Sequence, residues 1–133
     1  KSDAKNGTVT VSKLLKKTVK TVTIPATVTI DGYTFKVTAV ANNVFKNASR
    51  LKSVVIGANV KSIGKSSFYK CKKLATITFK GIKAPGVGKN AFKSGKSKVT
   101  VKVPKKMKKS QLNKLKKALK KAGVKKASYK KTK

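Results

Sequence analysis

Acidic, histidine and tryptophan side chains are almost absent from this chain. Its 133 residues include only two carboxylate side chains, Asp3 and Asp31, and no His, Glu or Trp. Paired-carboxylate hydrolysis, histidine acid–base catalysis and hard-metal or zinc sites need these residue types in groups. A Ser–Lys nucleophile pair is formally available, but nothing singles out one pair among the many Ser and Lys residues. The sequence therefore predicts no enzymatic activity, no catalytic residue, no metal site and no cofactor.

Cysteine and long apolar runs are equally scarce. Cys71 is the only cysteine, so it cannot form an intrachain disulfide, and we interpret it as a buried structural thiol. No apolar run is long enough to cross a bilayer, and no signal segment is present in this chain. The chain begins at Lys1 without an initiator Met, which is compatible with a processed or excised piece whose targeting segment is missing.

Basic side chains dominate what is present. The 36 Lys+Arg residues give a formal net charge of +34, so an anionic polymer is the first partner to consider. All of them except Arg50 are lysines, which suits diffuse attraction to anionic polymers better than bidentate reading of bases. We therefore expect no sequence-specific nucleic-acid binding. The charge also opposes close self-association at low ionic strength, which favours a monomer.

The apolar residues recur at a nearly fixed period. Sliding the sequence against itself by about 23–24 residues superimposes Phe45 on Phe68 and Phe68 on Phe92. A period in the twenties is typical of solenoids, in which each unit buries its apolar face against its neighbours. The predicted repeat core comprises Val40, Phe45, Leu51, Val54, Ile56, Ile63, Phe68, Cys71, Leu74, Ile77, Phe79, Val87, Phe92 and Val101.

Each unit combines several short elements. The segments "LKSVVI" (51–56), "LATITF" (74–79) and "VTVKV" (99–103) have the composition of strands. The segment "VKSIG" (60–64) is predicted to be a second extended piece. The segment "KSSFYKC" (65–71) is predicted to form one helical turn that buries Phe68 and Cys71.

The stretch "LKSVVIGANVKSIGKSSFYKCKKLATITFKG" (51–81) resembles the BspA-type leucine-rich repeats of bacterial surface proteins. Their unit runs as Leu-x-x-Ile-x-Ile, then Val-x-x-Ile-Gly, then Ala-Phe-x-x-Cys. The resemblance covers about 37–103, with departures at Ser67, Ala48 and Gly95, where the family has Ala or Cys. It implies a short right-handed β/α superhelix and a location that is secreted or on the bacterial cell surface.

Both ends depart from the repeat, and we interpret them as caps. At the N-terminus, "GTVTV" (7–11) and "KTVTIP" (20–25) alternate as strands. They precede a hairpin over 28–37. Asp31 and Gly32 predict a type I′ turn there, which pairs Ile30 with Tyr33 and Val28 with Phe35. Asp31 is thus a turn residue rather than a catalyst.

The C-terminal segment has the pattern of an amphipathic helix. After Pro104, Ser110 is the expected N-cap of a helix that extends to about Ala122, and Gly123 is the expected stop. One face carries Leu112, Leu115, Leu119 and Ala122, and "VKKASYK" (124–130) is predicted to add a last strand.

Together these patterns predict an α/β leucine-rich-repeat solenoid that forms a single domain. Residues 1–36 would be an N-terminal β-hairpin cap, and 104–133 a Lys-rich helical C-terminal cap. Between them, 37–103 would hold repeats of about 23–24 residues.

The predicted function is a non-enzymatic binding and adhesion module, with a protein or glycan ligand on a host or neighbouring cell. Two alternatives stay open: a structural spacer or wall-retention module whose lysines attract anionic wall polymers, and a membrane-surface cationic helix at 110–122. The candidate contact face consists of outward positions on the repeat strands, namely Lys52, Ser53, Val55, Ala75, Thr76, Thr78, Thr100 and Lys102.

Overall fold

A computed structural model of the protein describes residues 8–11, 20–93, 95 and 97–132. Parts of the predicted caps, residues 1–7, 12–19 and 133, lie outside this range. The described elements are β1 (Thr8–Val11), β2 (Thr21–Ile24), β3 (Thr27–Ile30), β4 (Tyr33–Val40), β5 (Ser53–Ile56), β6 (Ser62–Ile63), β7 (Thr76–Phe79), β8 (Gly86–Val87), β9 (Lys98–Pro104), α1 (Lys109–Lys121) and β10 (Lys126–Thr132).

The strands form two sheets with one core between them. The front sheet has the order β10-β9-β7-β5-β2, and all its neighbouring strands are parallel. The back sheet has the order β1-β4-β6-β8, also parallel, with β3 antiparallel to β4. A continuous cluster of buried side chains from both sheets, the turns and α1 makes up the core.

Alternation within each front strand decides which side chains enter this core. In β5, Val54 and Ile56 are buried, whereas Ser53 and Val55 are only half-buried because successive side chains point to opposite faces. β7 repeats the same pattern one unit later. Since Val54 pairs with Ile77 in the parallel register, equivalent positions of successive units lie directly beside each other.

Hydrogen-bonded turns, rather than helical turns, connect the back sheet to the front sheet. The predicted helical turn at 65–71 is wrong, because Ser66 (φ 54°) and Lys70 (φ 60°) have left-handed backbones that interrupt a right-handed helix. The N–H of Phe68 donates to the carbonyl of Ala91 in the next unit, at 2.7 Å. The turns therefore form a ladder between units, using donors that a helix would bond internally.

Three phenylalanines stack inside the turns. The ring of Phe68 lies 5.0 Å from those of both Phe45 and Phe92, with interplanar angles of 10° and 1°. All three rings are buried. The unit repeat thus places one aromatic ring directly on the next, which explains the Phe at this position in each unit.

The departure from the family pattern at Ser67 is accommodated by hydrogen bonds. Ser67 is fully buried, and its hydroxyl donates to the carbonyl of Gly64 and lies 3.4 Å from that of Ala41. Because the polar group is satisfied, a serine replaces alanine without an unpaired buried donor.

The predicted N-terminal hairpin is confirmed. Ile30 pairs with Tyr33 and Val28 with Phe35, and the positive φ angles of Asp31 (51°) and Gly32 (80°) are those of a type I′ turn. The segment before the hairpin forms β2, which pairs in parallel with β5. Residues 21–24 are therefore a full strand of the front sheet.

The C-terminal helix begins earlier than predicted. Lys108 is the N-cap and Ser110 lies inside the helix, so the predicted N-cap is wrong. The cause is the turn after β9, in which the N–H of Met107 donates to the carbonyl of Pro104 at 3.0 Å and the Met107 side chain is buried. This turn brings Lys108 to the helix start, and its carbonyl accepts from Leu112 at 2.9 Å.

The end and the apolar face of α1 agree with the prediction. Gly123 (φ 110°) terminates the helix, and the N–H of Val124 donates to the carbonyl of Leu119 in a Schellman pattern. Leu115 and Leu119 are fully buried. The predicted last strand is also present, since β10 pairs in parallel with β9.

Successive units approach so closely that some positions exclude a side chain. A Cβ added at Gly64 would lie 2.6 Å from the backbone of Ala41, and one added at Gly88 would lie 2.6 Å from the backbone nitrogen of Lys65. At Gly86, in contrast, the nearest atom would be 3.8 Å away, at the carbonyl of Lys61. Glycine is therefore required at the first two positions by the neighbouring unit.

Gly86 in β8 and Gly88 directly after it provide a matched test of this close approach. We expect Gly88→Ala to lower the free energy of unfolding by about 1–3 kcal/mol, because backbone atoms must move apart. Gly86→Ala is expected to be neutral or slightly stabilising, because it restricts the unfolded chain without a clash. Urea denaturation followed by circular dichroism measures both. Equal effects of the two substitutions would contradict this close approach.

The left-handed turn positions provide a second test. Asn43 (φ 64°) and Asn90 (φ 60°) occupy the positions equivalent to Ser66 in the adjacent units, and asparagine tolerates this backbone better than serine. We expect Ser66→Asn to raise the free energy of unfolding by about 0.5–1 kcal/mol. Ser49→Asn, at an exposed turn residue without a left-handed backbone, is the control and should change little. A destabilised Ser66→Asn protein would refute the assignment.

Candidate functional site

The outer face of the front sheet carries a row of hydroxyl groups. One outward position in each of the five strands is a threonine or serine, and parallel pairing aligns these positions from strand to strand. The row, which we call the hydroxyl row, consists of Thr21, Ser53, Thr76, Thr100 and Ser128. The backbones that carry neighbouring hydroxyls are separated by the strand spacing of about 4.8 Å.

A second row lies two residues further along each strand. It consists of Thr23, Val55, Thr78, Lys102 and Lys130. The row changes character along the sheet, since its first three members are uncharged and its last two are exposed lysines. Positive charge on this face is therefore concentrated at the β9 and β10 end.

Six of the eight predicted contact residues lie in these two rows. Lys52 and Ala75 do not, because they immediately precede β5 and β7. The carbonyl of Lys52 accepts from the N–H of Ala75 at 2.8 Å, so these residues continue the pairing beyond the strand ends. Lys52 is exposed and Ala75 is half-buried.

Sequence reasoning missed the outer members of both rows, which belong to the outermost strands β2 and β10. Thr21 lies further from its partner Ser53 along the chain than one repeat period, and Ser128 likewise lies further from Thr100. Sliding the sequence by the repeat period therefore does not superimpose these positions. The alternating "TVTI" and "ASYK" patterns were the available signal. The missed members are Thr21, Thr23, Ser128 and Lys130.

The predicted repeat-core residues lie inside the molecule, with one exception. Thirteen of the fourteen are buried, whereas Val87 is only half-buried and packs against the edge of the core. β8 is the last described strand of the back sheet, so no further back-sheet strand lies beside Val87 on one side. The inward side chains form the core, and the two outward rows form the exposed face of the front sheet.

The outer face of the front sheet presents hydroxyl groups, which form hydrogen bonds, and lysine ammonium groups, which also carry positive charge. Within the described ranges, no group of three His, Cys, Asp or Glu side chains is placed to hold a metal ion. Asp31 lies exposed in the hairpin turn, away from the front sheet. The hydroxyls both donate and accept hydrogen bonds, and the lysines only donate. This combination suits a partner rich in hydroxyl groups or anionic oxygens.

The C-terminal helix presents little apolar surface to solvent. Its two central leucines, Leu115 and Leu119, are fully buried in the core, and Leu112 packs partly against it. Gln111 also fixes the helix to the loop before β8, because its side-chain oxygen accepts from the N–H of Ala84 at 2.9 Å. In the part of the chain that the structure describes, no helix is long and apolar enough to cross a membrane.

Cys71 is a buried thiol in the turn ladder. Its Sγ donates to the carbonyl of Phe45, 3.1 Å away in the preceding unit. Burial raises the pKa of the thiol from 9.0 to about 11, and a hydrogen bond from the Ala48 backbone opposes part of this increase. A thiol with a raised pKa carries almost no thiolate near neutral pH, so it is a poor nucleophile.

We expect the Cys71 thiol to react with a disulfide reagent at pH 8 only when the protein unfolds. The labelling rate should therefore follow the unfolding equilibrium in low urea. Because the folded pKa of about 11 exceeds the unfolded value of 9.0, the thiol stabilises the fold below pH 9 and loses this contribution as the pH rises toward 11. The stability difference between the parent protein and Cys71→Ala should decrease over that range. Rapid labelling of the native protein would contradict the buried assignment.

The chain is similar to known proteins both in its sequence and in its structure. Residues 38–120 match a family model described as "BspA type Leucine rich repeat region (6 copies)". No curated protein matches the chain. A leucine-rich cell-surface protein from Faecalibacterium prausnitzii A2-165 has a similar structure, with 26% identity and a TM-score of 0.58 over 74% of this chain and 33% of that chain.

A leucine-rich repeat protein from Bacteroides ovatus ATCC 8483 is 22% identical, with a TM-score of 0.47 over 62% of this chain and 29% of that chain. The chain thus spans about a third of the length of either solved structure. The family match covers more than half of the chain. It includes the Phe68 and Cys71 turn, the three inner front strands β5, β7 and β9, and most of α1. The chain therefore belongs to the BspA-type leucine-rich repeat family.

Proposed function

We propose that the chain is a short right-handed solenoid forming one leucine-rich-repeat domain, and that it acts as a non-enzymatic binding and adhesion module at a cell surface. The observation that carries this proposal is the in-register hydroxyl row across all five front strands. A row of aligned groups at fixed spacing offers a partner several equivalent contacts at once. The N-terminal strands β1 and β2, which end the back and front sheets, and helix α1 act as the caps of the stack.

The surface location is supported by family membership and by the named structural relative. The Faecalibacterium prausnitzii protein is described as a leucine-rich cell-surface protein, and a secreted or surface location for this chain follows by analogy. Since the chain spans about a third of that protein, we propose that it supplies the binding face rather than every activity of such a protein. Its ligand would be a protein or a glycan on a host or neighbouring cell.

Wall retention is the second candidate function, and the charge supports it. The net charge of +34 attracts any anionic wall polymer, including at sites without a defined geometry. Such attraction decreases uniformly with salt because exposed charges are screened. The adhesion proposal differs, because it requires part of the binding to depend on uncharged residues of the front sheet.

The membrane-surface helix is the least supported alternative. Insertion into a bilayer interface requires an exposed apolar face, whereas Leu115 and Leu119 are fully buried. Releasing them would remove two side chains from the core, which costs about 1.5–3 kcal/mol for each. We therefore propose that α1 caps the stack instead of binding lipid.

The adhesion proposal is tested with an array of extracellular-matrix proteins and glycans at physiological salt and at about 1 M salt, where screening shortens to about 3 Å. We expect at least one ligand to remain bound at high salt. Replacing Thr76 and Thr78 by Gln should then reduce this binding about tenfold or more, since both lie at the centre of the face.

A matched control distinguishes the face from the rest of the surface. Replacing Thr34 and Ser62, which are exposed on the back sheet, by Gln changes no charge and should leave binding intact. If every signal disappears together at high salt, charge-driven wall retention replaces the adhesion proposal. If both double variants weaken binding equally, the front sheet is not the contact face.

A further inference from the structure

Four lysines form a frame on the outer face of the last two front strands. Lys98 is paired with Lys126, and Lys102 with Lys130, in the parallel register of β9 and β10. All four side chains are exposed. Between the two pairs lies a pair of hydroxyl residues, Thr100 and Ser128. We call the four lysines the lysine frame.

The strand geometry determines the dimensions of the lysine frame. Within each pair, the backbones are about 4.8 Å apart, the spacing of neighbouring strands, and the two pairs are about 13 Å apart, the rise of four strand residues. Like charges directly opposite one another in a sheet repel and destabilise it. No residue in the described strands of the front sheet is acidic, so these strands supply no counter-charge on this face.

The shape of the surface favours an anion at one end of the lysine frame. An open depression there is lined by Lys98, Lys126 and Ser128, with Val99 and Ala127 also contributing. Two lysine residues and one serine residue thus line the same concave site. All three are hydrogen-bond donors, and each ammonium also carries a full positive charge.

A sulfate monoester matches this set of donors. It has three terminal oxygens and one negative charge, so it accepts from two ammoniums and a hydroxyl at once while relieving the repulsion between the lysines. A carboxylate presents only two oxygens, and a phosphodiester presents only two terminal oxygens. The opposite end of the lysine frame, at Lys102 and Lys130, offers a second pair of ammoniums about 13 Å away.

We propose that the lysine frame binds a linear sulfated glycan lying along β9 and β10, with one sulfate at each lysine pair. Sugar hydroxyls between the sulfates contact Thr100 and Ser128, which both donate and accept hydrogen bonds. This inference rests on the proposed function and names a ligand class for the charged end of the same face. It differs from nonspecific attraction because it assigns the binding to four of the 36 basic residues.

The test compares two variants of equal charge. In the frame variant, all four frame lysines are replaced by Gln. In the control variant, four exposed lysines of the turns are replaced by Gln: Lys65, Lys72, Lys73 and Lys89. The probe is a short heparin oligosaccharide, titrated by calorimetry over a range of salt concentrations. We expect the frame variant to lose about tenfold more affinity than the control and to show a smaller dependence of affinity on salt.

Three further probes test the chemistry. Chemically desulfated heparin, the carboxylate polymer hyaluronan and a glycerol-phosphate polymer should each bind the parent protein more weakly than heparin does, with no difference between the frame and control variants. Equal loss of heparin affinity in both variants would show nonspecific attraction and overturn the proposal. Equal affinity for heparin and for any of these three probes would overturn the assignment to sulfate.

Folding is monitored separately from binding. Without ligand, the frame variant should melt at the same or a higher temperature than the parent protein, because two repulsive pairs are removed. Heparin oligosaccharide should raise the melting temperature of the parent and control proteins more than that of the frame variant. The frame and control variants could instead lose heparin affinity equally while the Thr76 and Thr78 variant still loses high-salt binding. In that case only the sulfated-glycan inference is wrong.

Discussion

Backbone hydrogen bonds between successive units set the spacing on which every other feature depends. They run through the front sheet, the back sheet and the turns, as in the 2.7 Å bond from Phe68 to Ala91. Because the spacing is the same on all three sides, a given position must accommodate its equivalents in the units before and after it. Phenylalanine rings therefore stack at 5.0 Å, and Gly64 and Gly88 face backbone with no room for a Cβ.

This requirement explains which parts of the fold are predictable from the sequence. The repeat is visible because stacking selects the same residue type at Phe45, Phe68 and Phe92. The hairpin is visible because a type I′ turn needs two positive φ angles, which Asp31 and Gly32 supply. The type of turn at 65–71 is not visible in the sequence, because a helical turn and a hydrogen-bonded turn bury the same apolar positions. The left-handed backbone at Ser66 and Lys70 distinguishes them, together with the hydrogen bonds that the turn donates to the next unit.

The candidate site is less visible in the sequence for a related reason. A contact surface made of aligned outward residues depends on strand register, and register is obvious only where the period is constant. The longer chain segments between β2 and β5 and between β9 and β10 hide Thr21 and Ser128 from any comparison at the repeat period. The lysine frame was hidden in the same way, because Lys98 and Lys126 become neighbours only when β10 pairs with β9.

The direction of the hydrogen bonds also determines how the molecule responds to a pulling force. Bonds such as that from Lys70 to Lys93, at 2.9 Å, join one unit to the next along the stacking direction. A force applied along this direction opens the units one after another, because each unit contacts mainly its neighbours. A sheet loaded along its strands must instead break many bonds together. A protein of this kind pulled along its stacking direction would therefore extend in steps, one unit at a time, instead of in a single cooperative event.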